Sequence, residues 1–255
     1  MRFRVLGCHG GSTLHHRNVS FLVNERVALD AGSLAVGLSI EEQTDLEWVL
    51  LTHSHLDHIG DLGAVCDVRA QRHCPTLRIA ALAETVDALD EHFFNDVLWP
   101  DFSRISMGNG PVVGFTTLSP EEGLGIGGLE VRAIRVDHSV PSCGFVVSDR
   151  DAAIVYTGDT APTERIWRVA NETPDLRAVI TEVSYPDRMA EFAIETGHLT
   201  PALAWAQLQK LSGAASPALF VYGMKPAYVE EVEAELRARA GDRVRPLAAG
   251  EVFEF

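Results

Sequence analysis

Several features that would define other classes of protein are missing from this 255-residue chain. No apolar run approaches the ~20 residues that a membrane-spanning helix needs. The first residues also lack the apolar stretch and small-residue cleavage site of a signal peptide. We therefore expect a cytoplasmic protein without a membrane partner. The four cysteines form no Cys-x-x-Cys pair, which argues against a disulfide framework.

Basic residues are scarce as well, since 21 Lys and Arg stand against 36 Asp and Glu, for a formal net charge of -15. Nucleic-acid binding depends on basic side chains that displace phosphate counterions, so this balance argues against an extended nucleic-acid partner. A small-molecule substrate is favoured. Bound divalent cations would offset part of the acidity, and a solvated acidic surface explains most of it. The oligomeric state stays open, with a homodimer among the candidates.

The chain shows no repeat, low-complexity tract or long linker, which predicts a single domain over residues 1–255. Strand-like runs dominate the first half, with turns at Gly10-Gly11 and Asn24-Glu25, and helical and strand-like runs alternate later. This order predicts an α/β (α+β) protein with two sheets flanked by helices. The main predicted strands are Phe3–Leu6, Val19–Val23, Arg26–Asp30, Trp48–Thr52, Leu129–Val136, Gly144–Val147, Ala152–Tyr156, Ala178–Val183 and Ala218–Tyr222, and the helices are Ala81–Phe102, Thr163–Ala170, Pro201–Leu211 and Ala227–Ala240.

Three histidines and an aspartate crowd into six residues directly after the strand predicted at Trp48–Thr52. Such crowding is costly unless a cation binds there, and imidazole with carboxylate suits zinc. Side chains at alternate positions of a turning loop can bind two neighbouring ions. His53 and His55 would therefore face one ion, and Asp57 and His58 the other. The expected cofactor is one or two Zn²⁺, with Mn²⁺ or Fe²⁺ as alternatives.

This His-x-His-x-Asp-His run, followed by Gly60, resembles the signature of the metallo-β-lactamase superfamily. Other parts of the family pattern follow in order: Asp30-Ala31-Gly32, His138 and Gly158-Asp159-Thr160, each after a predicted strand. The resemblance spans nearly the whole chain. It implies the four-layer αββα sandwich of that family and a metal-dependent hydrolase.

The resemblance also implies a role for each matching residue. His138 would complete the first ion's ligands with His53 and His55, and Asp159 would bridge both ions beside Asp57 and His58. Asp30 would orient the histidine loop. Considered one at a time, these residues also fit ordinary structural roles without a metal. Asp30 and Asp159 could be turn residues, and His138 could lie at the end of a strand.

Two later motifs are similar to those of class II cyclic-nucleotide phosphodiesterases: Glu182-Val183-Ser184-Tyr185-Pro186 and Gly197-His198-Leu199-Thr200-Pro201. The segment Val140–Phe145 resembles ribonuclease Z. The resemblance implies a phosphodiesterase that cleaves a small nucleotide, 3',5'-cyclic ones included, by metal-bound hydroxide. Asp57, Glu182 and His198 would be the catalytic residues, with His198 held by Glu182 to protonate the leaving alkoxide. Alternatively, the second motif is only a helix start capped by Thr200.

One position departs from the family pattern. A Thr-His-x-Lys-Pro run normally supplies a histidine to the second ion, but here it reads Tyr222-Gly223-Met224-Lys225-Pro226, and glycine has no side chain to bind a metal. A weaker second site, a single-metal enzyme or a changed reaction are all open, with His198 or His9 as substitute ligands. Two further functions also stay open: a thioester or lactone hydrolase of the same fold, and a metal-binding module with little turnover. An aromatic group, Phe93, Phe94, Trp99 and Phe102, would either cover a nucleobase or pack in the core or a dimer contact.

Overall fold

The computed structural model describes residues 1–108, 110–212 and 216–255. Within these ranges the strands form two seven-stranded sheets. In chain order the strands are β1 (Arg2–Gly7), β2 (Ser20–Val23), β3 (Val27–Leu29), β4 (Trp48–Leu50), β5 (Leu77–Ala81), β6 (Val113–Thr117), β7 (Gly123–Ile126), β8 (Leu129–Val136), β9 (Ser142–Ser148), β10 (Ala153–Tyr156), β11 (Leu176–Glu182), β12 (Ala218–Tyr222), β13 (Val244–Pro246) and β14 (Val252–Glu254).

Both sheets combine an antiparallel half with a parallel half. The first has the order β14-β1-β2-β3-β4-β5-β6 and is parallel from β3 to β6. The second has the order β13-β12-β11-β10-β9-β8-β7 and is parallel from β10 to β13. Parallel strands end at the same edge of a sheet, so the chain leaves β10, β11 and β12 at one edge, where loops can carry functional side chains.

Apolar side chains from the two sheets meet to form the central core, with Phe3 and Phe21 on one side and Phe145 and Tyr156 on the other. Separate apolar clusters cover the outer face of each sheet with helices. The helices are α1 (Leu34–Gly37), α2 (Ile40–Asp45), α3 (Leu56–Ile59), α4 (Leu62–Gln71), α5 (Ala83–His92), α6 (Arg165–Glu172), α7 (Ala190–Glu195), α8 (Pro201–Leu208) and α9 (Val229–Ala240), with 3-10 turns at Asp187–Met189, Pro226–Tyr228 and Gly241–Arg243. The layers confirm the predicted αββα sandwich.

Local features of the sequence account for several boundaries. Asn24 and Glu25 both have positive φ, 47° and 60°, which confirms the predicted turn between β2 and β3. Thr200 caps the start of helix α8: its hydroxyl accepts a hydrogen bond from the N–H of Leu203, and Pro201 is in the first turn. None of the helices in the described ranges combines the length and apolar composition that crossing a bilayer requires.

The helix predicted at Ala81–Phe102 is wrong beyond His92, where α5 ends. The side chain of Asn95 accepts hydrogen bonds from the N–H groups of Val97 and Leu98, and Asp96 has a φ of 60°. Such local hydrogen bonds offer the backbone an alternative to the helix. The residues after α5 therefore form turns.

Candidate metal centre

The predicted metal ligands come from four parts of the chain and meet where strands end. His53 and His55 follow β4, Asp57 and His58 lie in α3, His138 follows β8 and Asp159 follows β10. Three sets of side chains each place one ligand atom apiece within 4.8 Å of one another: His53, His55 and His138; His53, His58 and Asp159; and His138, Asp159 and His198. The structure brings together five of the six predicted ligands and adds His198. Asp57 is in none of these sets within the described residues.

Hydrogen bonds behind two of the rings determine which nitrogen faces the centre. Thr52 Oγ1 donates to Asp30, so the Nδ1–H of His53, 2.9 Å away, donates to the Thr52 hydroxyl. The Nδ1–H of His138 donates to the carbonyl of Gly197 over 2.7 Å. His53 and His138 therefore present their Nε2 atoms to the centre, and a partner on the far nitrogen is the usual support of a metal-binding histidine.

Two observations show that a divalent cation fits this centre. The Nε2 atom of His53 is buried without a hydrogen-bond partner, and Nε2 of His58 has the carboxylate of Asp159 3.4 Å away, beyond good hydrogen-bond distance, so a cation would relieve both. The ring nitrogens His138 Nε2 and His55 Nδ1 lie 3.2 Å apart, close enough to bind one cation together in place of the hydrogen bond that the Nδ1–H tautomer of His55 would make. The donor set of imidazoles and a carboxylate is the one zinc takes.

The electrostatics also prepare the rings for a cation. Burial lowers the pKa of His53 well below its usual value, lowers that of His55 and lowers the pKa of His138 to about 4. These three rings are neutral at pH 7, as metal ligands must be. Burial also opposes the charge on His58, but Asp159 and Asp30 outweigh it and raise its pKa, so a bound cation would replace that proton.

Asp30 acts as the hub that holds the histidine loop. Its buried carboxylate accepts from the N–H of Thr52 over 2.8 Å, from the Nδ1–H of His58 over 2.8 Å and from the hydroxyl of Tyr156 over 2.5 Å. The supporting role predicted for Asp30 agrees with these contacts. The tyrosine was missed, although a buried tyrosine hydroxyl needs a partner and Tyr156 directly precedes the Thr-Gly-Asp motif.

The far side of the centre differs from the predicted second metal site. The carboxylate of Asp57 lies 3.6 Å from Nζ of Lys225, and Gly223 offers only backbone. Burial opposes the charge on Lys225, but Asp57 and Asp159 outweigh it and raise the pKa of that ammonium. The proposed substitute His9 packs its ring against His16, with 4.5 Å between the ring centroids.

The predicted Glu182 and His198 pair lies beside the metal donors. His198 Nδ1 is 3.0 Å from Oε1 of Glu182 and 3.8 Å from Oδ2 of Asp159. Burial opposes the charge on His198, but Glu182 outweighs it, so the pKa of His198 is raised. The Ser184 hydroxyl is a third partner of Nδ1, at 3.3 Å. The ring thus keeps one nitrogen on Glu182 and leaves Nε2 for other partners.

A cleft of about 420 Å³ opens beside His138, and Ser139, Ile194 and Gly197 line part of it. Two aromatic side chains lie on the His198 side of the centre: Tyr185, whose ring centroid is 5.6 Å from that of His198, and the half-exposed Phe192, 5.2 Å from Tyr185. The aromatic group proposed to cover a base lies elsewhere: Phe93, Phe94, Trp99 and Phe102 pack in the cluster on the outer face of the first sheet. Core packing, the stated alternative, is what the structure shows for them.

The sequence of the chain is similar to those of known proteins. A family model described as a beta-lactamase superfamily domain matches residues 26–221. The chain is 30% identical over 181 residues to a probable 3',5'-cyclic-nucleotide phosphodiesterase of Yersinia pestis, covering 63% of this chain and 50% of that protein. It is 31% identical over 140 residues to a ribonuclease Z of Mycobacterium sp. (strain KMS), covering 52% of this chain and 46% of that protein. The chain thus spans about half the length of these relatives.

The fold is also similar to that of solved structures. Unliganded yeast PDE1 superposes with a TM-score of 0.83 at 19% identity, covering 98% of both chains. At that identity the likeness concerns the fold alone.

Proposed function

The chain belongs to the β-lactamase superfamily, and we propose that it is a metal-dependent hydrolase that cleaves a small phosphodiester, 3',5'-cyclic nucleotides included. The observation that carries the proposal is the His198–Glu182 pair beside the metal donors. A phosphodiester needs a proton for its leaving alkoxide, and a carboxylate-held imidazole can supply one. The proposed domain is the whole of residues 1–255.

The metal would be held by His53, His55, His58, His138 and Asp159, and we take Zn²⁺ as the natural ion, with Mn²⁺ or Fe²⁺ as alternatives. When bound, a divalent cation supplies an activated water nucleophile and neutralises charge on the phosphoryl oxygens.

The protein's own residues would supply the proton and hold the metal-binding loop. Glu182 holds His198 by Nδ1, so that Nε2 carries the proton toward the leaving oxygen. Asp30 keeps the histidine loop in place through Thr52 and His58.

The surroundings of the centre support a small nucleotide as the substrate. The cleft beside His138 has a volume in the range of small-molecule sites. Tyr185 and Phe192 offer aromatic faces near His198 on which a base could stack. The relatives named as a cyclic-nucleotide phosphodiesterase and a ribonuclease Z both cleave phosphodiesters by name.

A substrate panel tests the proposal. Purified protein is assayed with bis(p-nitrophenyl) phosphate, 3',5'-cyclic AMP and GMP, and a thioester, each with and without added Zn²⁺. We expect turnover of the phosphodiesters. Turnover of the thioester alone would favour an acyl hydrolase, and metal binding without any turnover would favour a binding module.

A further inference from the structure

We propose that the centre binds a single divalent cation and that the ammonium group of Lys225 takes the place of a second one beside Asp57. Together with the ligand missing at Gly223, Lys225 would thereby limit the centre to one metal ion, which goes beyond the proposed function and rests only on its metal-binding part. The chemistry proposed for the substrate plays no role in this inference.

The described donor sets share members and so mark out one region of the centre. His53, His138 and Asp159 each belong to two of the three donor sets, so the sets overlap. The rings of His53 and His58 are 4.2 Å apart, and those of His53 and His138 are 4.8 Å apart. A cation among the shared donors would leave out the carboxylate of Asp57, which is in none of the sets found among the described residues and lies 3.6 Å from Lys225.

The side chain of Lys225 is mostly buried, and hydrogen bonds hold its backbone in place. Its Nζ lies 3.6 Å from Oδ2 of Asp57, and only 23% of its side chain is exposed. Its N–H donates to the carbonyl of Ser184 over 3.1 Å, and its carbonyl accepts from Tyr228 over 2.8 Å. A Cβ on Gly10 would lie 2.5 Å from the carbonyl oxygen of Gly223 and 2.9 Å from Nζ, so the turn at Gly10 packs closely against this segment.

Gly223 removes the ligand that a second ion would need. Its φ of 87° is a left-handed conformation that favours glycine, and its N–H donates to the carbonyl of Cys8 over 2.8 Å. An added Cβ would come no closer than 3.5 Å to Glu182, so a side chain has the space it needs there but would strain the backbone.

Charge then opposes a second ion. An ion bound to Asp57 would lie beside the ammonium of Lys225, and like charges in a partly buried site repel strongly. One fixed positive charge thus neutralises Asp57 without a metal.

Counting bound metal tests the proposal without any activity assay. Wild-type protein is saturated with Zn²⁺, freed of unbound ion by gel filtration and measured by elemental analysis, with calorimetric titration as a second readout. The variants are Lys225→Met, which keeps the chain length without the charge, and the same change combined with Gly223→His. Lys210→Met changes the other lysine of the chain, which binds Thr163 and Glu164, and is the matched control.

We expect one zinc per chain for the wild type and for Lys210→Met, a second, weaker equivalent for Lys225→Met, and a tighter second equivalent for the double variant. Asp57→Asn should keep the wild-type zinc affinity, which tests the proposal even if Lys225→Met fails to fold. Two tight equivalents in the wild type, a folded Lys225→Met with one, or a loss of zinc in Asp57→Asn would overturn it. No bound zinc in the wild type would overturn it too and would also refute the metal-binding part of the proposed function.

Discussion

Replacing Glu182 with glutamine tests how a buried carboxylate controls His198. Oε1 of Glu182 lies 3.0 Å from Nδ1 of His198 and also accepts from the N–H groups of Thr160 and Leu199, at 3.3 and 3.2 Å. Glutamine keeps the size and an oxygen that can accept these bonds. The variant therefore removes the negative charge with little change of shape.

The expected loss follows from the strength of the bond. A hydrogen bond to a charged group contributes about 1.5–3 kcal/mol and a neutral one about 0.5–1.5 kcal/mol, so the loss of charge removes about 1–1.5 kcal/mol. Since about 1.4 kcal/mol corresponds to tenfold in rate, kcat for a cyclic nucleotide should fall about 5- to 12-fold. Hydrolysis of bis(p-nitrophenyl) phosphate should change little, because its leaving group departs without a proton.

The pH dependence adds an independent readout. The charge of Glu182 raises the pKa of His198, so the protonated ring is present below that pKa and is lost as pH rises through it. In Glu182→Gln, burial remains while the charge is gone, so the alkaline limb of the cyclic-nucleotide profile should move to lower pH.

The assay is steady-state kinetics on both substrates from pH 5 to 10, at equal bound metal, with the exposed Glu164→Gln as control. Equal losses for the two substrates would refute the proton-donor role of His198 and leave Glu182 as a structural residue.

Three further substitutions test residues that hold the metal-binding side chains or the nearby helix α8 in place. Asp30→Asn should weaken zinc affinity about 10- to 100-fold, measured by competition with a chelator, because it alters the partner of a metal-binding ring. Gly197→Ala should weaken both zinc binding and stability in urea, because the added Cβ would lie 2.7 Å from Nδ1 of His138; Gly250→Ala, with a φ of 93° and open space, shows the cost of the backbone alone. Thr200→Ala should lower the free energy of unfolding by about 1 kcal/mol, because it removes the cap of α8, and should leave zinc affinity unchanged.

Strong local patterns made much of the fold predictable. The apolar runs at β8, β11 and β12 and the capped start at Thr200 carry their own signals, and the structure places those elements within a few residues of the predictions. Helix α4 was not recognised, and its buried residues include Gly63 and Arg69 as well as apolar ones, so it shows no clean amphipathic stripe. The pairing of β14 with β1 joins the two ends of the chain, which no local pattern encodes.

Part of the candidate site was predictable from sequence and part was not. The spacing of His53, His55 and His58 predicted a metal site because the residues lie close together in sequence. The contact between Asp57 and Lys225 could not be predicted, because it depends on how the end of β12 approaches α3 in space. Sequence shows that a ligand is absent at Gly223, but only the fold shows which charge lies nearby.

Phosphodiester cleavage by this protein should depend on bound metal and on the histidines that hold it. The most direct test measures zinc content and hydrolysis of 3',5'-cyclic AMP on the same samples of wild type, His55→Ala and the exposed-surface control His92→Ala. We predict that the wild type and His92→Ala hold zinc and turn over the substrate, and that His55→Ala loses both. Turnover that persists in His55→Ala, or in wild type stripped of metal, would refute metal-dependent cleavage at this centre.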